Sequence, residues 1–133
     1  MLSKTRQHIA VALLAAAPSL VIADQCEPIW QEEFDEPLRA DLWNYVEGDG
    51  CAVNLCGWGN NEQQTYDANS VNVSEGSLKV TAAIGEDGTI RSGKITTQGK
   101  FSTRFGRLEA RIKVPAGRGT WPAFWMMPDP SDR

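Results

Sequence analysis

Apolar and charged residues alternate one by one over residues 107–114. The apolar positions are Leu108, Ala110, Ile112 and Val114, and every residue between them carries a charge. Because successive side chains of a strand point to opposite faces of a sheet, this pattern predicts a half-buried β-strand. Pro115, which has no backbone N–H, ends it.

Shorter β-prone segments precede this strand. Residues 71–73 and 78–82 flank a Ser-Glu-Gly-Ser turn and predict a β-hairpin, and Ile84 and Ile90 bracket a second Gly-containing turn. Residues 95–101 predict a further strand, and residues 28–34 and 42–46 two more. No stretch longer than two helical turns has an apolar period of 3.6. Many short strands separated by glycine-rich turns predict a β-sandwich or jelly roll.

The charge balance argues against two kinds of partner. The 133 residues include 13 Lys and Arg against 17 Asp and Glu, for a formal net charge of −4. Nucleic acids and anionic membrane surfaces attract basic patches. We therefore expect no nucleic-acid partner and no membrane partner for the mature chain.

Residues 1–23 have the organisation of a secretory signal peptide. Lys4, Arg6 and His8 form a basic start, residues 9–17 are apolar, and Val21-Ile22-Ala23 offers a cleavage site before Asp24. The alternative is a membrane anchor, but residues 9–23 are too few to span a bilayer comfortably. The sequence predicts a secreted protein, extracellular or periplasmic, whose domain occupies residues 24–133.

Export permits disulfide bonds between the cysteines. Cys51 and Cys56 flank a short segment, which predicts a local bridge between them. Cys26 is then left over and indicates a partner in another chain or in further sequence. A zinc site is disfavoured, because the single histidine, His8, lies in the signal peptide.

The residues by themselves indicate no catalytic centre. Glu33 and Asp35 share a face if their segment is extended, but Pro37 follows them on that face, so we interpret the acidic run 32–36 as a solvated strand end and turn. A Ser–His–Asp arrangement is excluded, because residues 24–133 contain no histidine.

The tryptophans suggest a sugar-binding surface. Trp121 and Trp125 are four positions apart and would share one face of an extended strand. Flat indole faces suit the C–H faces of a chain of sugars, but aromatic residues also dominate sandwich cores, and both interpretations stay open here. Trp58, within a run of glycines and asparagines, is a second candidate, although such runs are also ordinary turns.

Taken together, these segments resemble a known family. Residues 57–63, 92–95, 99–101, 105–115 and 121–126, with the opening Trp30, Glu33, Phe34 and Asp35, are similar in order and spacing to laminarinase-like members of glycoside hydrolase family 16. The resemblance implies an all-β, concanavalin-like jelly-roll β-sandwich, of which this chain is the N-terminal part. It also implies that β-glucan is the partner and that the complete domain is a monomer.

The resemblance assigns roles to particular residues. Trp121 and Trp125 match cleft tryptophans that stack on sugars, Asn60 matches an asparagine that contacts sugar, and Lys94 stands where relatives often have arginine. Glu33 and the carbonyl of Gly76 match a structural calcium site whose further ligand comes from the C-terminal end of the domain. The chemistry itself is expected to need no cofactor.

The family's catalytic strand has the pattern Glu-x-Asp-x-x-Glu and follows the segment that matches residues 121–125. The 133 residues contain no such pattern, so no catalytic residue is assigned. The resemblance therefore implies a secreted, retaining endo-β-glucanase for β-1,3 or mixed-linkage glucan, represented by an inactive fragment that folds poorly. Two alternatives stay open: a non-catalytic β-glucan-binding protein on the same fold, and a short binding protein that uses this half alone.

Overall fold

The computed structural model describes residues 27–129. The predicted signal peptide 1–23 and Cys26 lie outside these residues. The chain divides into two compact units, with the boundary between Gln31 and Glu32. Only residues 27–31 of the first unit are described, and they form no regular element. Everything that follows concerns the second unit.

Short strands dominate the second unit. Its elements in chain order are the strands β1 to β7 and three 3-10 segments: β1 Asn44–Tyr45, 3-10 Cys51–Val53, 3-10 Cys56–Gly59, β2 Thr65–Tyr66, 3-10 Ala68–Ser70, β3 Val71–Val73, β4 Leu78–Val80, β5 Ala83–Ile84, β6 Ile90–Ser92 and β7 Ile95–Thr96. Residues 27–129 contain no α-helix. No helix in this range is therefore long and apolar enough to cross a membrane.

The predicted hairpin and the predicted second turn are both confirmed, and the second turn also joins a pair of strands. β3 pairs antiparallel with β4, with Val71 opposite Val80 and Val73 opposite Leu78. β5 pairs antiparallel with β6, with Ile84 opposite Ile90. Both turns bring their flanking strands together over a few residues, so local sequence is enough to specify them.

The remaining pairs join distant parts of the chain. β1, within the predicted segment 42–46, pairs antiparallel with β7, which is only the first part of the predicted strand 95–101. β2 pairs in parallel with β6, which places Tyr66 opposite Ser92. These two pairs bring the region around β2 beside the β6–β7 connection, where Lys94 lies.

Two strand predictions are wrong. Residues 107–114 form no strand, and Ile112 and Val114 are 54% and 61% exposed. An alternating segment becomes a strand only where a neighbouring strand offers hydrogen-bond partners and a surface that buries its apolar face. None of the other described residues forms such a partner strand for residues 107–114. Residues 28–34 also form no strand, and the segment ends at Phe34, whose left-handed φ of 59° is incompatible with an extended chain.

The buried centre of the described residues is small. Val71, at 8% exposure, is the one buried apolar residue within 27–129. A Cβ atom on Gly93 would lie 2.3 Å from Cγ2 of Val71. The close packing of Val71 on Gly93 therefore requires glycine and fixes the chain immediately before Lys94.

Candidate functional site

A disulfide-closed loop leads into the site. Cys51 and Cys56 are joined by a disulfide with their Cα atoms 4.0 Å apart. The amide of Leu55 donates to the carbonyl of Gly50 at 2.9 Å. Gly50 has a φ of 86°, and a Cβ atom there would lie 2.1 Å from the carbonyl oxygen of Leu55. Backbone and disulfide together hold a tight turn directly before Trp58.

Trp58 has an unusual backbone conformation, and its ring is held against β2 through Gly48. Its φ is 52°, an unusual left-handed value for a bulky residue. Its indole N–H donates to the carbonyl of Gly48 at 3.2 Å. Gly48 in turn exchanges backbone hydrogen bonds of 2.9 and 3.0 Å with Tyr66. As a result, the rings of Trp58 and Tyr66 lie 5.8 Å apart between centroids, tilted by 47°.

The ammonium group of Lys94 lies among three aromatic rings. Its Nζ is 4.8 Å from the ring centre of Trp58, 5.2 Å from that of Tyr66 and 5.4 Å from that of Trp125. A cation within about 6 Å of an aromatic face is attracted by the ring quadrupole. We call Trp58, Tyr66 and Trp125 the aromatic clamp. It fixes the position of a positively charged hydrogen-bond donor.

The carboxylate of Glu62 supports the clamp through a hydrogen bond with the Tyr66 hydroxyl. The Tyr66 hydroxyl donates to Glu62 Oε2 at 2.5 Å. The Gln64 amide donates to the same oxygen at 2.8 Å and lies 3.2 Å from the Tyr66 hydroxyl. Burial, followed by the hydrogen bond to Glu62, raises the pKa of Tyr66 to about 12. The phenol therefore remains a protonated donor well above neutral pH.

The two tryptophans predicted to stack on sugars are both at the surface. Trp121 is 92% exposed and Trp125 is 58% exposed, so neither is a core residue of the described structure. Trp125 contributes one ring of the clamp, whereas Trp121 presents almost its whole indole to solvent. Asn60 is exposed in the turn after Trp58, where its backbone N–H donates to the carbonyl of Gly57 at 3.1 Å.

The residues matched to calcium do not form a complete cation site. Gly76, with a φ of 63°, lies in the turn between β3 and β4, and Glu33 is exposed. The carboxylate beside Gly76 is that of Asp35, whose Oδ1 lies 3.6 Å from the position of a Cβ atom there. Calcium takes 6–8 oxygen ligands, and residues 27–129 contain no group of three or more His, Cys, Asp or Glu able to hold a metal. Calcium binding stays a prediction.

Three members of the site, Glu62, Gln64 and Tyr66, are not among the residues to which the sequence assigned a role. Their signal is a period of two: residues 62, 64 and 66 share one face of an extended segment. The contact with Lys94 has no local signal, because it depends on the pairing of β2 with β6.

A surface depression of about 300 Å³ lies apart from these residues. Its lining consists of Gly99, Lys100, Phe101, Ser102 and Asp129. None of the clamp residues contributes to it. This depression is therefore not part of the aromatic clamp.

Comparison with known proteins gives one consistent family. The profile of "Glycosyl hydrolases family 16" matches residues 58–133. A "Beta-glucanase" of Rhodothermus marinus is 38% identical over 114 residues, covering 80% of this chain. A "Beta-1,3-glucan-binding protein" of Penaeus monodon is 46% identical over 39 residues, covering 29% of this chain and 11% of its own length.

A solved structure supports the same fold. The laminarinase from Flavobacterium sp. UMI-01 matches 60% of this chain at 37% identity with a TM-score of 0.55. The all-β jelly-roll prediction is thereby confirmed. The chain spans 38% of the length of the Rhodothermus relative and 34% of the solved laminarinase chain.

Proposed function

Because this chain belongs to glycosyl hydrolases family 16, we propose that it is part of a secreted, retaining endo-β-glucanase acting on β-1,3 or mixed-linkage glucan, and that residues 27–129 supply a glucan-binding surface. The observation that carries the proposal is the ammonium of Lys94, held within 5.4 Å of three aromatic rings. The relatives named above include a β-glucanase and a laminarinase.

In our proposal, two kinds of side chain bind a neutral polysaccharide: an exposed aromatic ring and hydrogen-bonding groups. The exposed indole of Trp121 can cover the apolar C–H face of a pyranose ring, which removes apolar area from water. The Lys94 ammonium has three N–H donors and no acceptor, so it suits the oxygen atoms of sugar hydroxyls. Asn60, exposed beside Trp58, can both donate and accept hydrogen bonds.

Cleavage requires groups that these residues do not provide. A retaining glycosidase uses two carboxyl groups about 5–5.5 Å apart, one as nucleophile and one as acid and base. The 133 residues lack the Glu-x-Asp-x-x-Glu pattern. In our proposal this chain alone binds and orients glucan, and hydrolysis depends on carboxylates encoded elsewhere in the whole protein.

The test measures binding and cleavage separately. The full 133-residue chain is titrated with laminarin in a calorimeter, and release of reducing ends is assayed in parallel. We expect saturable binding without cleavage, and a loss of affinity in Lys94→Met and Trp125→Ala. Phe105→Ala removes another exposed aromatic residue, is the matched control and should bind as the wild type does. Urea unfolding of the wild type is followed alongside, and cooperative unfolding would contradict the expectation that the chain folds poorly. A wild type that unfolds cooperatively but does not bind laminarin overturns the proposal.

Secretion has its own test. The basic and apolar pattern of residues 1–23 supports export and cleavage before Asp24. Expression of the full chain in a secreting host, followed by N-terminal sequencing of the exported product, should give Asp24 as the first residue. Retention of the uncleaved chain in the cell would refute this part of the proposal.

A second candidate is a non-catalytic glucan-binding protein. The similarity to the Penaeus protein named for β-1,3-glucan binding favours it, and the clamp and Trp121 serve binding equally well in both cases. The coding sequence beyond codon 133 separates the two candidates. Continuation into a Glu-x-Asp-x-x-Glu strand supports the glucanase, whereas continuation with neutral residues in those positions supports the binding protein.

A further inference from the structure

The contacts of Glu62, Tyr66 and Lys94 form one chain of interactions. Glu62 Oε2 accepts hydrogen bonds from the Tyr66 hydroxyl at 2.5 Å and the Gln64 amide at 2.8 Å. The ring of the same tyrosine lies next to the cation: its centre is 5.2 Å from the Lys94 ammonium. Glu62 therefore fixes one end of a side chain whose face holds the cation.

The aromatic residues of this region have two roles, holding the cation and stacking on sugar. The rings of Trp58 and Tyr66 face the Lys94 ammonium, with their centres 4.8 and 5.2 Å from it. The ring faces that contact the cation are therefore not available to a sugar. Trp121 contrasts with them because it is 92% exposed. The rings of the clamp thus hold the cation, and the exposed indole of Trp121 remains for stacking.

We propose that Glu62 is a positioning residue for glucan binding, which acts through the Tyr66 hydroxyl to hold the Lys94 ammonium at the binding surface. This inference rests on the proposed function and assigns a role to a residue that touches no sugar. Without the carboxylate, the half-buried Tyr66 hydroxyl loses its charged acceptor, and a polar group left without its partner favours rearrangement towards water. The ring then moves with the hydroxyl, and the cation loses one wall of its clamp.

The test compares three substitutions in the full chain. Glu62→Ala removes the acceptor, Glu62→Gln keeps a neutral acceptor of nearly the same shape, and Glu86→Ala removes a glutamate from the exposed turn between β5 and β6 as the matched control. Laminarin affinity is measured by calorimetry. The NMR resonances of the Lys94 ε-methylene group are recorded without glucan, because ring currents of the clamp displace them from the values of a free lysine.

We expect Glu62→Ala to weaken laminarin binding about tenfold and to move the Lys94 resonances towards free-lysine values. Glu62→Gln should retain most of both properties, and Glu86→Ala all of both. Wild-type affinity and unchanged Lys94 resonances in Glu62→Ala overturn the positioning role. So does weakened binding with unmoved Lys94 resonances, since Glu62 then acts by another route. If the wild type binds no laminarin, the proposed function fails first, and the positioning role fails with it.

Discussion

The ammonium of Lys94 lies 5.4 Å from the ring centre of Trp125. Lys94 lies between β6 and β7, whereas Trp125 follows the irregular segment that contains residues 107–114. This contact ties the C-terminal part of the described chain to the region of β2 and β6. It also places the charged group of one residue against the ring of the other.

We expect Lys94 and Trp125 to be energetically coupled. A cation–π contact at a partly exposed site contributes about 0.5–1 kcal/mol. In a double-mutant cycle of Lys94→Met and Trp125→Leu, urea unfolding should give a coupling energy of about that size. The control cycle uses Lys79→Met in place of Lys94→Met, together with Trp125→Leu. The Lys79 ammonium bonds Glu75 at 2.6 Å, so the coupling energy of this cycle should be near zero. Strict additivity in the Lys94 cycle would contradict the contact.

Trp121 should contribute to binding without contributing to stability. Its 92% exposure means that Trp121→Ala removes almost no buried surface, so the urea midpoint should not change. Loss of an indole that covers a sugar face costs about 1–2 kcal/mol, or roughly tenfold in laminarin affinity. Equal affinities of the wild type and Trp121→Ala would remove this residue from the binding surface.

The β3–β4 hairpin could be predicted because its information is local. The Ser-Glu-Gly-Ser turn and its valine-rich flanks specify β3 and β4 without reference to the rest of the chain. Residues 107–114 show the opposite case: their alternation is a regular strand pattern, but strand formation depends on a neighbour that the pattern does not contain.

The candidate site was predictable only in part for the same reason. Resemblance selected Lys94 and Trp125 one residue at a time. The contacts of Lys94 with Trp58 and Tyr66 depend on the register that places Tyr66 opposite Ser92. Glu62 had the weakest sequence signal of all, since its role depends on where the Tyr66 hydroxyl lies.

Two glycines in the same loop should differ sharply in their tolerance of alanine. Gly48 and Gly50 have φ values of 85° and 86°, so alanine meets the same left-handed strain at both, about 1 kcal/mol. A Cβ atom on Gly48 meets nothing within 4 Å, whereas on Gly50 it lies 2.1 Å from the Leu55 carbonyl oxygen. Gly50→Ala should therefore cost about 3 kcal/mol in urea unfolding, against about 1 for Gly48→Ala. Equal losses would contradict the tight turn.

Stability should fall in alkali partly because of Tyr66. Its pKa is raised to about 12 in the folded chain, first by burial and then by the bond to Glu62, whereas the ordinary value is 10. The unfolded chain therefore releases this proton first, so the stabilisation is complete below pH 10 and is lost as the pH rises towards 12.

The free energy of unfolding measured across that pH range checks the contribution of Tyr66. In Tyr66→Phe, the free energy of unfolding should decline less in alkali than it does in the wild type. Tyr45→Phe is the control, because it removes a phenol from an exposed position. A decline in Tyr66→Phe as steep as in the wild type contradicts the assignment.

The parallel pairing of β2 with β6 has a kinetic consequence. Between Tyr66 and Ile90 the chain passes through β3, β4 and β5, so β6 can reach β2 only after that length has closed into a loop. Hairpins close over short distances and form early, whereas long closures are slow. During refolding, the fluorescence change caused by laminarin should therefore recover later than the far-ultraviolet dichroism of the strands. The proposed binding surface thus matures after the hairpins, and a newly made chain passes through an interval in which its hairpins exist but Tyr66 is not yet beside Lys94.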